Sequence, residues 1–306
     1  MNWQLVPQFA ISGLLAGGPI ALTALGLVLI FKSSYIFNFA QGQMLLIGAL
    51  ITWWLSVELG LPLWLAILLA LLFSALMGLA IERLALRPMT GQPLLSIILM
   101  TLALSQVLQG LALLFFGGVQ RNFPRIFSAA DPYRITTPFV FNGEPILVIL
   151  KQNLTWSFIV AVAGVLLIGA FFRFTRTGLS MRGTSEDHEL AQSIGIRIQR
   201  VFGLSWALAG VVATVAGVLL ATSSGLDISL SVVVLAAFPA VLLGGLDSIP
   251  GTLVGGLIIG LSAGLVSASK VPIVRNAAEI MPYVVLLIVL VLRPEGLFGQ
   301  RRIERI

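Results

Sequence analysis

Chemistry inside a membrane needs grouped ionisable side chains, and the apolar stretches of this chain hold no such group. None of its twelve acidic residues falls clearly at the middle of a hydrophobic run, where an ionisable group would be costly and usually functional. The single histidine, His188, cannot build a typical zinc site alone. Cysteine is absent, which excludes disulfides and thiol chemistry. The phosphate-binding pattern G-x-x-x-x-G-K-[ST] is also absent, so nucleotide hydrolysis would have to come from another chain. What remains within the apolar runs is neutral polarity. Gln106 and Gln109 are three apart, so on a helix they share a face, with Thr101 and Ser105 nearby. Asn38, Gln41 and Gln43 form a second such group. Both groups could line a hydrated path or make hydrogen bonds between helices, and the second reading is preferred. A neutral pathway suits a zwitterionic or uncharged solute better than an ion, whose charge demands partners.

The elements that hold these residues must lie in a bilayer. Of 306 residues, 58% are hydrophobic and only 10% charged, and the mean hydropathy is +1.05. No water-soluble fold can hide that much apolar surface. The runs are long enough for helices that cross the hydrocarbon core and lack the alternation of barrel strands. They lie near 8–31, 35–57, 62–82, 94–116, 154–172, 202–222, 228–244, 251–269 and 278–292. The expected class is an all-α polytopic membrane protein with about eight or nine transmembrane helices. No ionised side chain precedes Lys32, so the first run lacks the basic start of a cleaved signal and is expected to stay as a span.

Basic residues set the orientation. Placing the segment 173–200 and the C-terminal tail inside leaves only Arg121, Arg125, Arg134, Lys151, Lys270 and Arg275 outside, six of 18. The N-terminus is then outside and the C-terminus cytoplasmic. The net charge of +6 comes from residues at the edges of apolar runs rather than from one patch, which argues against nucleic-acid binding. The segment 117–153 becomes the longest external loop, with Pro124, Pro132, Pro138 and Pro145 preventing one continuous helix. Glycines recur at four-residue spacing, as in Gly13/Gly17 and Gly256/Gly260/Gly264, and should let helices pack closely. The connections Asn38–Leu50 and Leu246–Leu261 look alike, each a polar turn and a glycine leading into a small-residue span, which hints at a duplicated half.

The polar insert at 173–201 is the most specific feature. A short helix from Glu186 to Ile194 is expected to end at Gly195, a preferred residue type after a helix. Ala191 would let a neighbour approach closely, with Arg182, Glu186, Asp187 and Glu189 offering charged contacts. Such a helix can dock in the groove of a soluble partner.

This pattern resembles a known family. Glu189, Ala191 and Gly195 give E-x-A-x-x-x-G, similar to the EAA loop of ABC importer permeases. More closely, Gly178, Arg182, Asp187, Ala191, Gly195 and Ile196 match the form G-x-x-x-R-A-x-x-x-D-x-x-x-A-x-x-x-G-I of branched-chain amino acid permeases, with Gly183 in place of the usual alanine. Leu25–Ala49, Phe238–Leu261 and Leu292–Gly299 resemble the same family, so the likeness runs through most of the chain as one permease domain, 1–306. It is to the shorter of the two permease types of these importers. Asp247, where such proteins often have glycine, departs from it.

The resemblance implies an ATP-driven importer in a bacterial inner membrane. It implies a second, often non-identical permease subunit, two ATPase subunits that bind the ATP, and a periplasmic or lipid-tethered substrate-binding protein. Arg182, Asp187, Glu189, Ala191, Gly195 and Ile196 would then belong to the coupling helix gripped by the ATPase. The implied solutes are leucine, isoleucine and valine, while related permeases handle urea, short amides or other amino acids. A secondary transporter would place coupling acids at midplane, a channel would need a filter sequence, and an enzyme would need a catalytic set. None of the three is legible here.

Overall fold

The computed structural model describes residues 5–299 apart from 90, 125, 127–131, 142, 143 and 187, and the backbone but not the side chains of 137–141, 144–146, 188 and 189. The chain is helical: α1 (Val6–Ser34), α2 (Gln41–Trp53, continued by a π-helical turn to Glu58), α3 (Leu63–Ile81) and α4 (Leu94–Phe116) come first. A β-hairpin, β1 (Tyr133–Phe141) with β2 (Glu144–Leu150), precedes α5 (Gln152–Phe174). Then follow α6 (Arg176–Glu186), α7 (His188–Ser193), α8 (Ile198–Ser224), α9 (Val233–Gly244), α10 (Ile249–Ser267), α11 (Pro272–Asn276) and α12 (Met281–Leu292).

Among the described residues, six helices are long and apolar enough to cross a membrane, seven if the pair Pro272–Glu279 and Met281–Leu292, bent by 68°, is one span. The expectation of eight or nine counted three stretches that the fold treats differently. The second expected span carries Gln41 and Gln43 in its first turn and Glu58 at its end, and falls outside the six. The seventh is a shorter helical stretch, Ile228–Gly244. The last is the bent pair. The segment 117–153 also holds the antiparallel hairpin, where the sequence offered only a loop interrupted by prolines.

Burial separates central from peripheral helices. The apolar windows of α1 and α8 are 83% and 72% buried, those of α4 and α5 only 17%. The peripheral helices therefore turn leucine-rich faces outward, as a bilayer demands. Small residues make the centre possible. A Cβ on Gly13 or Gly17 of α1 would come within 2.5 Å of the carbonyl oxygens of Gly260 and Gly256 in α10. Likewise α8 meets α2 and α3 through Gly217 against the Leu45 carbonyl and Gly210 against the Ser74 carbonyl. With no hydrophobic drive between helices in lipid, this close packing holds the bundle together.

Contacts sort the connections to two ends. At one, Lys32 donates from Nζ to the Asp247 carbonyl at 2.8 Å, and Tyr35 donates to the Ser185 carbonyl. At the other, Gln8 pairs with the backbone of Ile149 in β2, Arg121 pairs backbone to backbone with Leu226, and Asn153 donates to the Thr222 carbonyl at 2.8 Å. The insert and the two similar polar connections thus share one end, and the hairpin lies at the opposite one.

The motif Leu292–Gly299 returns to the first of these ends. The amides of Leu297 and Phe298 donate to the carbonyls of Leu243 and Gly244, which would otherwise be orphaned at the end of α9. Gly296 has φ +81°, and an added Cβ would sit 2.6 Å from the Leu242 carbonyl oxygen. Gly296→Val is therefore expected to free this segment from α9. Hydrogen exchange at the Leu297 and Phe298 amides should rise by at least about tenfold, corresponding to loss of roughly 1.4 kcal/mol of local stability.

Candidate functional site

The insert follows α5 after a single residue, Thr175. Thr175 accepts from the Gly178 amide at 2.9 Å and so caps α6, while Gly178 lies so close to the end of α5 that a Cβ would meet the Phe171 carbonyl at 2.5 Å. Met181 and Thr184 form the buried face of α6. Helix α7 ends where the sequence places its stop. Gly195 has φ +89°, and the Gly195 and Ile196 amides donate back to the Gln192 and Ala191 carbonyls. The helix is shorter than the expected Glu186–Ile194, because α6 runs on to Glu186 and α7 starts at His188.

The outward face of α7 is not the one expected. Ala191 is 3% exposed, so the close approach that its small side chain permits is within this chain rather than to a partner. Leu190 of α7 and Ile194 in the turn just after it, whose amide donates back to the Leu190 carbonyl at 3.3 Å, lie on one side and are 62% and 72% exposed. Arg182 is half-buried with its Nε enclosed and, among the described residues, without a hydrogen-bond partner. Ile196 packs against the core, and an added Cβ on Gly183 would meet only the Ile196 Cδ1, at 3.9 Å, so the family's usual alanine would fit. Asp187 lies outside the described residues, as does the side chain of Glu189.

Beside α7 a cleft of about 750 Å³ is lined by Gln192, Ile196, Arg197 and Arg200 on one side and Glu82, Arg83 and Arg87 on the other. Glu82, 3% exposed, is held by Arg87 at 3.1 Å. The remaining arginines leave the cleft positive. An exposed apolar pair next to a basic cleft is chemistry for an acidic, partly apolar protein surface. Sequence reasoning missed Leu190 and Ile194, whose signal was two large apolar residues at helical spacing within a polar stretch.

The neutral polar residues divide. Asn38 and Gln41 are fully buried: Asn38 accepts from the Ala40 amide at 3.0 Å and donates to the Gln41 Oε1 at 3.1 Å, and Gln41 donates onward to the Ala209 carbonyl of α8 at 3.3 Å. Gly26 of α1 makes room, since a Cβ there would lie 2.0 Å from the Gln41 Nε2. Thr101, also buried, donates to the Phe37 carbonyl at 3.2 Å and ties α4 to the same connection. Gln43 is buried with its Oε1 unpartnered among the described residues. Gln106 is exposed and Gln109 half-buried on α4, away from this knot, and Gln106 faces out of the bundle. Asp247, which the sequence left without a role, lends its carbonyl to Lys32 and so ties the connection that opens α10 to the last turn of α1.

Comparison with known proteins fits this architecture. Residues 9–290 match the model of the family described as branched-chain amino acid transport system / permease component. The chain belongs to that family. It is 28% identical to the high-affinity branched-chain amino acid transport system permease protein LivH of Salmonella typhimurium, over 98% of this chain and 97% of that one. It is 27% identical to the corresponding protein BraD of Pseudomonas aeruginosa, with the same coverage. A probable LivH of Methanocaldococcus jannaschii is 29% identical over 92% of this chain and 88% of that one. Among solved structures, PsaBC from Streptococcus pneumoniae in complex with Fab is similar at 18% identity and a TM-score of 0.47, covering 94% of this chain and 92% of that chain. The protein is therefore a multi-pass membrane permease component, a transport subunit rather than an enzyme.

Proposed function

We propose that this permease is the translocating subunit of an ATP-driven importer that brings leucine, isoleucine and valine across a bacterial inner membrane. The observation that carries this is the α6–α7 insert, which stands at one end of the bundle with Leu190 and Ile194 exposed beside a basic cleft. In this reading that end is cytoplasmic, the N-terminus is outside, and α7 is the coupling helix received by one of two ATPase subunits. ATP is bound by those subunits and no cofactor by this chain. A second permease subunit and a periplasmic or lipid-tethered binding protein complete the assembly. The names of its relatives support the solute class.

The coupling residues then act in two ways. Leu190 and Ile194 touch the ATPase, while Arg182, Ala191, Gly195 and Ile196 hold α7 in place from within, with Asp187 and Glu189 as further charged contacts. The buried knot of Asn38, Gln41 and Thr101 joins α1, α2, α4 and α8, and so ties helices that must shift together when access switches. Gln43, Gln106 and Gln109 are the polar groups left to face a path or a second subunit. Coupling requires contacts that differ between the two access states, since a loop bound equally in both transmits nothing.

The test is uptake of labelled leucine into vesicles holding the complete assembly with ATP supplied to the ATPases. Wild type should accumulate leucine, with isoleucine and valine competing and urea not. Gly195→Val, which cannot take φ +89° without strain, should keep ATP hydrolysis while lowering uptake by about tenfold or more, corresponding to the roughly 1–2 kcal/mol cost of left-handed backbone for a side-chain-bearing residue. Uptake that persists without ATPase subunits would discard the importer reading.

A further inference from the structure

At the end of the bundle that carries the insert, a groove of about 760 Å³ opens between α5 and α10. Its rim brings together Lys32 of α1, Arg173 from the last turn of α5, Arg182 of α6, and a single acid, Asp247. Below the rim its walls are apolar, with Val165 and Leu166 on α5 and Leu253 and Val254 on α10. Leu166 and Arg173 are seven positions apart on α5, so the apolar wall reaches roughly 10 Å from the basic rim toward the middle of the bundle. The mouth faces sideways: Leu166 and Phe174 are exposed, and α5 is among the least buried spans.

We propose that this groove is a binding site for an anionic phospholipid, with its phosphate among Lys32, Arg173 and Arg182 and an acyl chain along the apolar walls. Charge complementarity selects the head group. In the lining three cations face one carboxylate, with Glu186 of α6 a second acid near Lys32, and none of the three cations forms an ion pair among the described residues. The Asp247 carbonyl fixes the Lys32 ammonium at the rim, and the buried Nε of Arg182 has a proton to donate and no described acceptor. The groove also contains Ser248 and Ile249, where the 19-residue α10 begins, so the positive end of that helix adds to the field. Shape selects the tail. A small anion would use the rim alone and leave the lateral apolar walls uncovered, whereas basic pockets between spans at a membrane surface match lipid head groups with chains attached. Because Arg182 belongs to α6, a lipid seated here would brace the root of the insert against α1, α5 and α10. The site stands on the membrane class of the protein and does not depend on what it transports.

Native mass spectrometry of the purified chain, delipidated and then titrated with phosphatidylglycerol or phosphatidylcholine, reads this directly. Wild type should retain phosphatidylglycerol about tenfold more tightly. The double variant Arg173→Gln/Arg182→Gln should bring the two lipids within about twofold, while Arg176→Gln, an exposed cation outside the groove, should leave the preference unchanged. Arg173→Gln alone, at an exposed position, should lower the preference by a few-fold and keeps the test readable if loss of Arg182 impairs folding. Equal retention of both lipids by wild type, or an undiminished preference in the double and Arg173 variants, would overturn the proposal. So would inorganic phosphate at millimolar concentration displacing the lipid, since the site would then be one for a free anion.

Discussion

Replacing Leu190 and Ile194 together with aspartate is expected to abolish leucine accumulation in reconstituted vesicles while leaving the permease folded. Both side chains are exposed, Leu190 on α7 and Ile194 in the turn that follows it, so neither contributes appreciably to the core, and surface changes of this kind alter stability by only about 0.5 kcal/mol. At an interface the balance reverses. Burying a leucine or isoleucine against a partner contributes roughly 1.5–3 kcal/mol, and an aspartate placed there adds an unpaired charge to be desolvated. Two such changes remove at least about 3 kcal/mol, more than a hundredfold in affinity for the ATPase subunit. The measurement is paired: ATPase retained on the immobilised permease, and thermal unfolding of the permease alone. Loss of retention with an unchanged melting temperature places α7 at the contact. Full retention and full uptake would put the coupling surface elsewhere. Ala191→Leu gives the contrast, because Ala191 is buried and its replacement should lower the melting temperature first.

That contrast marks how far sequence reasoning reaches. The membrane class, the helical elements, the stop at Gly195 and the close packing at the glycine repeats were all legible, because each follows from a local quantity: run length, charge at the edges, a residue that takes positive φ, or four-residue spacing. Which way α7 turns was not. Ala191 and Leu190 are neighbours in sequence, and only the docking of α6 onto the end of α5 through Thr175 and Gly178 decides which of them is covered. Long-range pairing was hidden for the same reason. Lys32 and Asp247 are 215 positions apart, and their bond depends on α1 and α10 lying side by side. The hairpin β1–β2 was masked by prolines that argue equally for a loop, and its register shifts between Thr136 and Val140, the stretch that contains Pro138. The polar residues show both outcomes. Asn38, Gln41 and Thr101 meet partners across helices, whereas Gln106, on an equally plausible helical face, points out of the bundle.

The seam between α1 and α10 supports the second large prediction, that Gly260→Leu prevents recovery of folded protein. A Cβ on Gly260 would lie 2.4 Å from the Gly13 carbonyl oxygen and 2.6 Å from the backbone nitrogen and Cα of Gly17. These are backbone atoms of a helix that is itself buried on most of its surface, so no side chain can rotate away to relieve the overlap. The helices would have to separate, and Gly256 and Gly264, which meet Ala21, Phe9 and Gly13 as closely along the same seam, would lose contact with them. Overpacking at one well-filled position costs about 1–3 kcal/mol when side chains can adjust. Loss of a whole backbone-to-backbone seam exceeds that and approaches the roughly 5–15 kcal/mol that holds a typical protein folded. Gly110→Leu supplies the control, since an added Cβ there meets nothing within 4 Å and the change should raise helix stability by roughly 1 kcal/mol or less. Size-exclusion profiles in detergent distinguish the two: a monodisperse peak for Gly110→Leu and aggregate for Gly260→Leu. A monodisperse Gly260→Leu with wild-type melting would mean that α1 and α10 are not packed backbone to backbone.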